Sequence, residues 1–399
     1  MPDDKPFGLG LIGCGSFGEF CLDAFSTMDL VRVAAVADVN EAAARRLGAK
    51  FRVPAHGEAM DLIRREDVEI VHVATPPSSH HELVMAAVAA GKHVLCEKPL
   101  ATRLAHADEM LAAACDAGVI VPVDFVLRYN AVTDAVRAVI DSGVLGKVLA
   151  GRLTNCAKDS KLGADHWFWD KSVSGGIFIE HGAHFFDLYT YWLGEGEVLD
   201  AHTETRRDAA QAAQMGSRGG LSLGAGQGPR LRSGQEDRVQ CTIRFAGGAV
   251  AHHYHGFDQV HLMDRTDHRL VCELGDLRVN GWIPLSLEID ALVSDETQGQ
   301  LEAACPHAGI EVLASYEGAD RTPTGRGVRR NVARRIRLTW EPAADKQSVY
   351  ADSLRALLAD QIAYLRDPSH CRRITEANGR AALALGEKAA KLAAMNQPR

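Results

Sequence analysis

The run Gly13-Cys14-Gly15-Ser16-Phe17-Gly18 places three glycines at Gly-x-Gly-x-x-Gly spacing, and Asp38 follows twenty residues after the last of them. The glycines suit three separate needs, which are a tight turn, close approach of backbone to a pyrophosphate, and close packing of a helix on a strand. The phosphates would then rest on free N–H groups at a helix start formed by Ser16 and Phe17. A carboxylate at Asp38 accepts hydrogen bonds from adenosine ribose hydroxyls and repels a 2′-phosphate, so NAD is expected in preference to NADP. Arg45 and Arg46 follow on the next helix and read as a solvated face. A second set of polar residues, Thr75, Glu97, Lys98 and Asp124, falls at the carboxyl ends of apolar runs. Lys98 stands out among them because Pro99 stiffens the chain immediately after it.

These residues need elements to hold them. Phe7 to Ile12 reads as a buried strand, Ser16 to Met28 as a helix, and Leu30 to Ala37 as a strand ending at Asp38. Strands at Glu69 to Ala74, His93 to Cys96 and Val119 to Val123 alternate with helices at His80 to Ala90 and Ala101 to Ala117. Ser78 and Ser79 are candidate caps for the first of these helices. Such alternation implies a doubly wound parallel α/β sheet, with ligands beyond the carboxyl ends of its strands. Further on, strands at Lys147 to Thr154, Val198 to Thr205, Arg238 to Phe245, Ala249 to Tyr254 and Arg269 to Leu274 suit an antiparallel sheet. Ala246-Gly247-Gly248 is a hairpin turn between two of them. Val349 to Leu365 and Glu376 to Met395 read as closing helices. The Gly-, Ser- and Gln-rich stretch 216–234 is expected to be a mobile loop. Residues 1–125 therefore read as a dinucleotide-binding domain and 126–399 as an α+β domain for substrate and self-association.

Composition narrows the classes. The 399 residues are 46% hydrophobic and 24% charged, which excludes a disordered chain, a collagen or a coiled-coil rod. A net charge of −8 gives no general attraction to nucleic acid or anionic lipid. The apolar stretches are too short to span a membrane. Met1-Pro2-Asp3-Asp4-Lys5 carries no signal pattern, and nine cysteines without a C-x-x-C pair suit reduced thiols. A cytoplasmic location is expected.

Taken together, the motifs resemble the glucose–fructose oxidoreductase, inositol dehydrogenase and rhizopine catabolism family of NAD(P)-dependent oxidoreductases. The resemblance rests on the glycine run, on Ala74-Thr75-Pro76-Pro77-Ser78-Ser79-His80, and on Gly91-Lys92-His93-Val94-Leu95-Cys96-Glu97-Lys98-Pro99-Leu100. It rests also on Gly175-Gly176-Ile177-Phe178-Ile179-Glu180-His181-Gly182-Ala183-His184-Phe185-Phe186-Asp187. It is dense from about residue 7 to 195 and thin beyond. The resemblance implies a Rossmann domain, a second domain with a large, mostly antiparallel sheet, and a substrate cleft between them. It implies cofactor contacts from Gly13, Gly15, Ser16, Phe17, Gly18, Asp38, Thr75, Pro76, His80, Glu97 and Lys98. It implies a sugar, cyclitol or related polyol substrate and a homodimer or homotetramer.

The same resemblance assigns a catalytic lysine to Lys98 and a histidine to His184, with Glu180 where the family pattern carries Asp four residues earlier. If the segment is one helix, Glu180 and His184 share a face, and the carboxylate can orient the imidazole or touch substrate. Histidine suits the proton transfer that alcohol oxidation needs. Lys98 can stabilise developing alkoxide charge or, with a lowered pKa, act as the base itself. Arg128, Tyr129, Trp167 and Asp187 are the substrate-binding candidates. Trp167 and Trp169 are equally suited to core packing, and Asp165 precedes them as a carboxylate neighbour. No metal is expected: Glu180, His181 and His184 lack metal-ligand spacing. His252-His253-Tyr254-His255 reads as a cleft wall or a polar face, with His253 and His255 on one side. The arginine-dense stretch 321–337 reads as a solvated or interface face, with an anion site as the sharper alternative. The leading function is hydride transfer between nicotinamide and a carbinol or ketone carbon. Redox-assisted glycoside cleavage and a non-catalytic dinucleotide-binding regulator are the alternatives.

Overall fold

The computed structural model describes residues 5–157, 166–205, 235–257, 259, 265–325, 327–342 and 344–396. The stretch 216–234, expected to be a mobile loop, and Asp165 lie outside the described residues.

Five strands, β1 (Phe7–Ile12), β2 (Val31–Ala37), β3 (Ala55–His56), β4 (Ile70–Val73) and β5 (His93–Cys96), form the first sheet. All pair in parallel, in the order β3-β2-β1-β4-β5. The central strands β1, β4 and β5 are buried on both faces, which is why they read as continuous apolar runs rather than alternating ones. Helices α1 (Ser16–Phe25), α2 (Glu41–Phe51), α3 (Ala59–Ile63), α4 (His80–Ala89) and α5 (Leu104–Ala117) supply the cover. Ser79 does not cap α4 with its side chain; its hydroxyl donates to Thr75 Oγ1 at 2.8 Å, and Pro77–Ser79 form a 3-10 turn. Val119 to Val123, expected as a strand, runs beside β5 but pairs only through a Cys96–Val123 bridge. Val94 N donates to Ile120 O and Cys96 N to Pro122 O, while Pro122 has no N–H to give back.

After α6 (Ala131–Ser142) comes the second sheet. Its strands are β6 (Val148–Cys156), β7 (Gly196–Thr205), β8 (Glu236–Phe245), β9 (Val250–Gly256), β10 (Arg265–Cys272), β11 (Gly275–Asn280), β12 (Ser286–Val293) and β13 (Gly309–Ser315). A small ribbon, β14 (Thr324–Gly325) with β15 (Val328–Arg329), precedes the last strand, β16 (Arg334–Trp340). The nine-stranded order is β13-β16-β12-β11-β10-β6-β9-β8-β7. Every pairing is antiparallel except β6 with β9. Gly248, at φ +87°, closes the β8–β9 hairpin by donating its N–H to Phe245 O at 2.8 Å.

Between β6 and β7 lie α7 (Lys171–Ser174), α8 (Ile177–Glu180) and α9 (Gly182–Leu193). Helix α9 lays Phe185, Phe186 and Tyr189 on the sheet, where they meet His253, His255 and His268. His253 and His255 do share a face, but that face is aromatic core rather than cleft wall or solvent. The outer side of β9 carries the exposed His252. The helix Lys346–Arg366 packs on α1, and Glu376–Met395 packs on α5, α9 and β7, so the chain's last helices fasten the two sheets together. The arginine-dense stretch lies on a charged outer face: Arg335 makes two 2.8 Å bonds to Asp290, and Arg334 pairs with Asp295 at 2.6 Å. Its neighbours Arg330 and Arg321 pair with Glu273 and Asp295.

Candidate active site

The glycine loop joins β1 to α1. Gly13 has φ +102°, and a Cβ there would sit 2.4 Å from Ala74 O. At Gly18 a Cβ would sit 2.0 Å from Gly13 O, so helix and loop touch only because both residues lack side chains. Around Gly15 nothing lies within 4 Å of such an atom, which leaves that side open to a ligand. No side chain caps the N-terminus of α1, so its first amides stay open to a ligand too. Asp38 stands at the end of β2, held by Cys14 N at 2.7 Å and Asn40 N at 2.7 Å. Arg45 and Arg46 turn to Glu41 and Glu19 instead.

A cavity of about 1100 Å³ runs from this loop along the carboxyl ends of the strands. Gly13, Gly15, Ser16, Phe17, Gly18 and Asp38 line one end. Thr75, Pro76, Glu97 and Lys98 line its middle, and Glu180, His184 and Trp167 the far end. His80 is the exception among the expected cofactor contacts. It is fully buried outside the cavity wall, its ring nitrogens 2.8 Å from Pro99 O and 2.9 Å from Thr75 O. Its place is to brace the two loops that present Thr75 and Lys98.

Lys98 Nζ donates to Glu180 Oε1 at 2.6 Å and to the Glu180 carbonyl at 3.1 Å. The chain reaches Glu180 through Gly175 and Gly176, at φ +82° and +91°, which turn α7 into α8. His184 lies 3% exposed, with its ring edge-on to Trp282 at 5.1 Å between centroids. Burial, with Lys98 and His181 adding to it, holds His184 well below the usual imidazole range, so the ring is neutral at neutral pH. Its Nδ1 has no hydrogen-bond partner. The expected single helix from Glu180 to His184 is not formed: α8 ends at Glu180 and α9 starts at Gly182. Glu180 therefore holds Lys98, not the imidazole. His181 Nε2 donates to Asn155 Oδ1, 2.7 Å away.

A side chamber of about 320 Å³ opens beyond Lys98 and Glu180. Asn155, Thr266, Trp167, Trp282 and Lys346 line it. All but Trp167 escape sequence reasoning, because they come from β6, β10, the β11–β12 turn and the start of Lys346–Arg366, where no motif marks them. Only Gly281, at φ +101° beside Trp282, hints at a constrained turn. Trp169 is core, packed edge-on against Phe257. The other expected substrate residues line neither cavity. Arg128 forms a buried two-bond pair with Asp187, at 2.8 and 2.7 Å, and Tyr129 donates to Asp360 Oδ2 at 2.6 Å. These contacts pin the turn Val126–Tyr129 to α9 and to the helix Lys346–Arg366 behind the site.

Comparison with known proteins matches this architecture. Residues 7–125 fit the model of the oxidoreductase family with an NAD-binding Rossmann fold, and 133–278 fit the GFO/IDH/MocA C-terminal domain. The chain belongs to the Gfo/Idh/MocA oxidoreductase family, and its first domain is an NAD-binding Rossmann domain. Levoglucosan dehydrogenase of Pseudarthrobacter phenanthrenivorans is 29% identical over 260 residues, 61% of this chain and 65% of that protein. Myo-inositol 2-dehydrogenase of Thermotoga maritima is 32% identical over 188 residues, 47% of this chain and 55% of that one. The matched regions thus span less than two thirds of these curated relatives. A solved levoglucosan dehydrogenase in complex with NADH and levoglucosan shares the fold, with a TM-score of 0.73 at 20% identity over 98% of this chain and 97% of that one. The residues present fit NAD. The open side of Gly15, the uncapped start of α1 and the anchored Asp38 form a cradle for pyrophosphate and ribose.

Proposed function

We propose that the chain is an NAD-dependent dehydrogenase or reductase acting on a CH–OH or ketone carbon of a sugar, cyclitol or sugar-like compound. The observation that carries this reading is the meeting of Lys98, Glu180 and His184 in the wall of the cavity that opens onto the glycine loop. Bound NAD supplies the hydride acceptor or donor. Lys98 spends two of its three N–H groups on Glu180, and the third is left for the reacting oxygen. That ammonium stabilises alkoxide charge as it develops. His184, neutral by burial and set in the cavity wall, accepts the hydroxyl proton and returns it in the reverse direction. Glu180 holds the lysine and aims it.

The side chamber supports a polyol-sized substrate. Trp167 and Trp282 offer aromatic faces for the apolar side of a ring, and Asn155 and Thr266 offer partners for its hydroxyls. The substrates named for the relatives, levoglucosan and inositol, are of this kind. Further parts of the reading are a boundary near residues 125 and 126, a cytoplasmic location in line with nine cysteines that form no disulfide, and assembly as a homodimer or homotetramer. Exposed Leu149, Val250, Ile310 and Val312 on the second sheet support the last of these.

The test is to mix the protein with NAD and a panel of cyclitols, hexoses, anhydrosugars and glycosides, following reduced-nicotinamide absorbance and released aglycone together. NADH formation with one class supports the reading. Aglycone without NADH replaces it with redox-assisted cleavage. Silence in both directions, despite NAD binding, favours a regulator.

A further inference from the structure

At the cavity wall that carries Lys98 and Glu97, four side chains from separate segments converge. They are Cys21 of α1, His72 of β4, Glu97 directly after β5, and Asp124 after the run 119–123. One donor atom of each lies within 4.8 Å of all the others. Cys21 and His72 are fully buried, Asp124 is 1% exposed and Glu97 6%. His72 Nε2 is 3.3 Å from Glu97 Oε1, the carboxyl groups of Glu97 and Asp124 lie within hydrogen-bond reach of each other, and no N–H or hydroxyl reaches either oxygen of Asp124. Lys98, the neighbouring cation, is committed to Glu180. No lysine or arginine forms an ion pair with Glu97 or Asp124 among the described residues.

Two carboxyl groups removed from water need either protons or a cation beside them. The chemistry of the donors decides between cations. Magnesium and calcium take oxygen alone, whereas a thiolate, an imidazole and carboxylates together are a zinc set. Tetrahedral bonds of about 2.0–2.3 Å place donors about 3.3–3.8 Å apart, so side-chain shifts of about 1 Å close the ring around an ion.

We propose that Cys21, His72, Glu97 and Asp124 bind one Zn²⁺ in a closed, four-coordinate structural site. The Cys21 thiol releases its proton to solvent as the sulfur–zinc bond forms, and three anionic donors then face one divalent ion. The ion ties α1, β4, β5 and the segment at Asp124 together at the carboxyl edge of the first sheet, one residue before Lys98. All four positions are taken by protein, so it contributes no open site for chemistry. The proposal stands apart from the dehydrogenase reading.

The experiment uses the full chain in a Cys115→Ser, Cys371→Ser background, which removes the two exposed thiols as competitors. The protein is purified without metal-affinity resin, stripped with a chelator, and titrated with Zn²⁺ and separately with Co²⁺. One equivalent of Zn²⁺ is expected to bind and raise the melting temperature. Co²⁺ is expected to give the visible d–d bands of a tetrahedral ion and a near-ultraviolet thiolate-to-cobalt band. Cys21→Ser should abolish the thiolate band. Asp124→Asn should keep that band while weakening Zn²⁺ by more than about tenfold, at least the loss that removal of an outer-shell partner produces. Circular dichroism checks that each variant folds, and Asp124→Asn suffices if Cys21→Ser does not. Absence of the cobalt bands and of any zinc effect on melting overturns the site and leaves a carboxyl pair sharing a proton. One equivalent bound but indifferent to both substitutions overturns it equally, by placing the ion elsewhere.

Discussion

The core beneath α9 makes stability depend on pH in a way one substitution can isolate. His268 lies 1% exposed among Tyr189, Trp192 and Phe185, and neither ring nitrogen has a partner. Burial pushes its imidazole down from 6.5 to about 3. The unfolded chain therefore binds a proton that the folded chain refuses. The neutral ring's stabilisation is complete above pH 6.5 and is lost progressively as pH falls below it. Integrated between folded and unfolded values, the loss is about 2 kcal/mol by pH 5, with a slope near one proton, or about 1.4 kcal/mol per pH unit. His268→Leu keeps an apolar side chain of fitting size and removes the titration. Because the wild-type ring leaves two nitrogens without partners, the substitution is near neutral or stabilising at pH 8. Urea unfolding of both proteins at pH 8, 7, 6 and 5 measures the difference. The variant should gain about 2 kcal/mol on the wild type between pH 8 and pH 5. Curves that stay parallel across that range would refute the claim that His268 is held neutral by burial. His255, also pushed down to about 3 by burial and by its neighbour His268, provides a second test through His255→Leu.

Further substitutions separate the parts of the site. Glu180→Ala leaves the ammonium of Lys98 in a mostly buried wall without its partner, so thermal or urea unfolding should show a loss of about 3–5 kcal/mol. Turnover should fall with it, while NAD binding followed by fluorescence is retained. His184→Ala should lower kcat by about 10²–10⁴-fold with NAD affinity kept, as expected for loss of the proton acceptor. Gly13→Ala forces a methyl group against Ala74 O at a positive φ, and NAD affinity measured by titration should collapse, with about 1–3 kcal/mol lost in unfolding. Asp38→Ser removes the charge that repels a 2′-phosphate, so the ratio of NADP to NAD affinity should rise at least about tenfold in parallel titrations.

The parts of the molecule that are legible in the amino-acid order are those where local rules act alone. The glycine loop reads from sequence because only glycine tolerates the contacts at Gly13 and Gly18, and parallel strands announce themselves by being apolar on both faces. Position along a strand also places Lys98 and Asp38 at the ligand edge. What sequence does not convey is which way a polar residue faces once tertiary partners compete for it. Arg128 and Asp187 are 59 residues apart, and only the fold shows that they satisfy each other in the interior instead of meeting substrate. His80 misleads for the same reason: two backbone carbonyls claim its ring before any ligand can. Spacing by four suggests that Glu180 serves His184, but a one-residue break between α8 and α9 gives the carboxylate to Lys98. The longer Glu side chain fits that partnership, since it reaches Lys98 across 82 residues of sequence while its own carbonyl accepts a second bond from the same ammonium. An aspartate there would be one methylene shorter and, on the same backbone, would leave the lysine with the carbonyl alone. Glu180→Asp should therefore weaken turnover more than NAD binding, and equal turnover in the two proteins would show that Lys98 does not depend on the carboxylate for its aim.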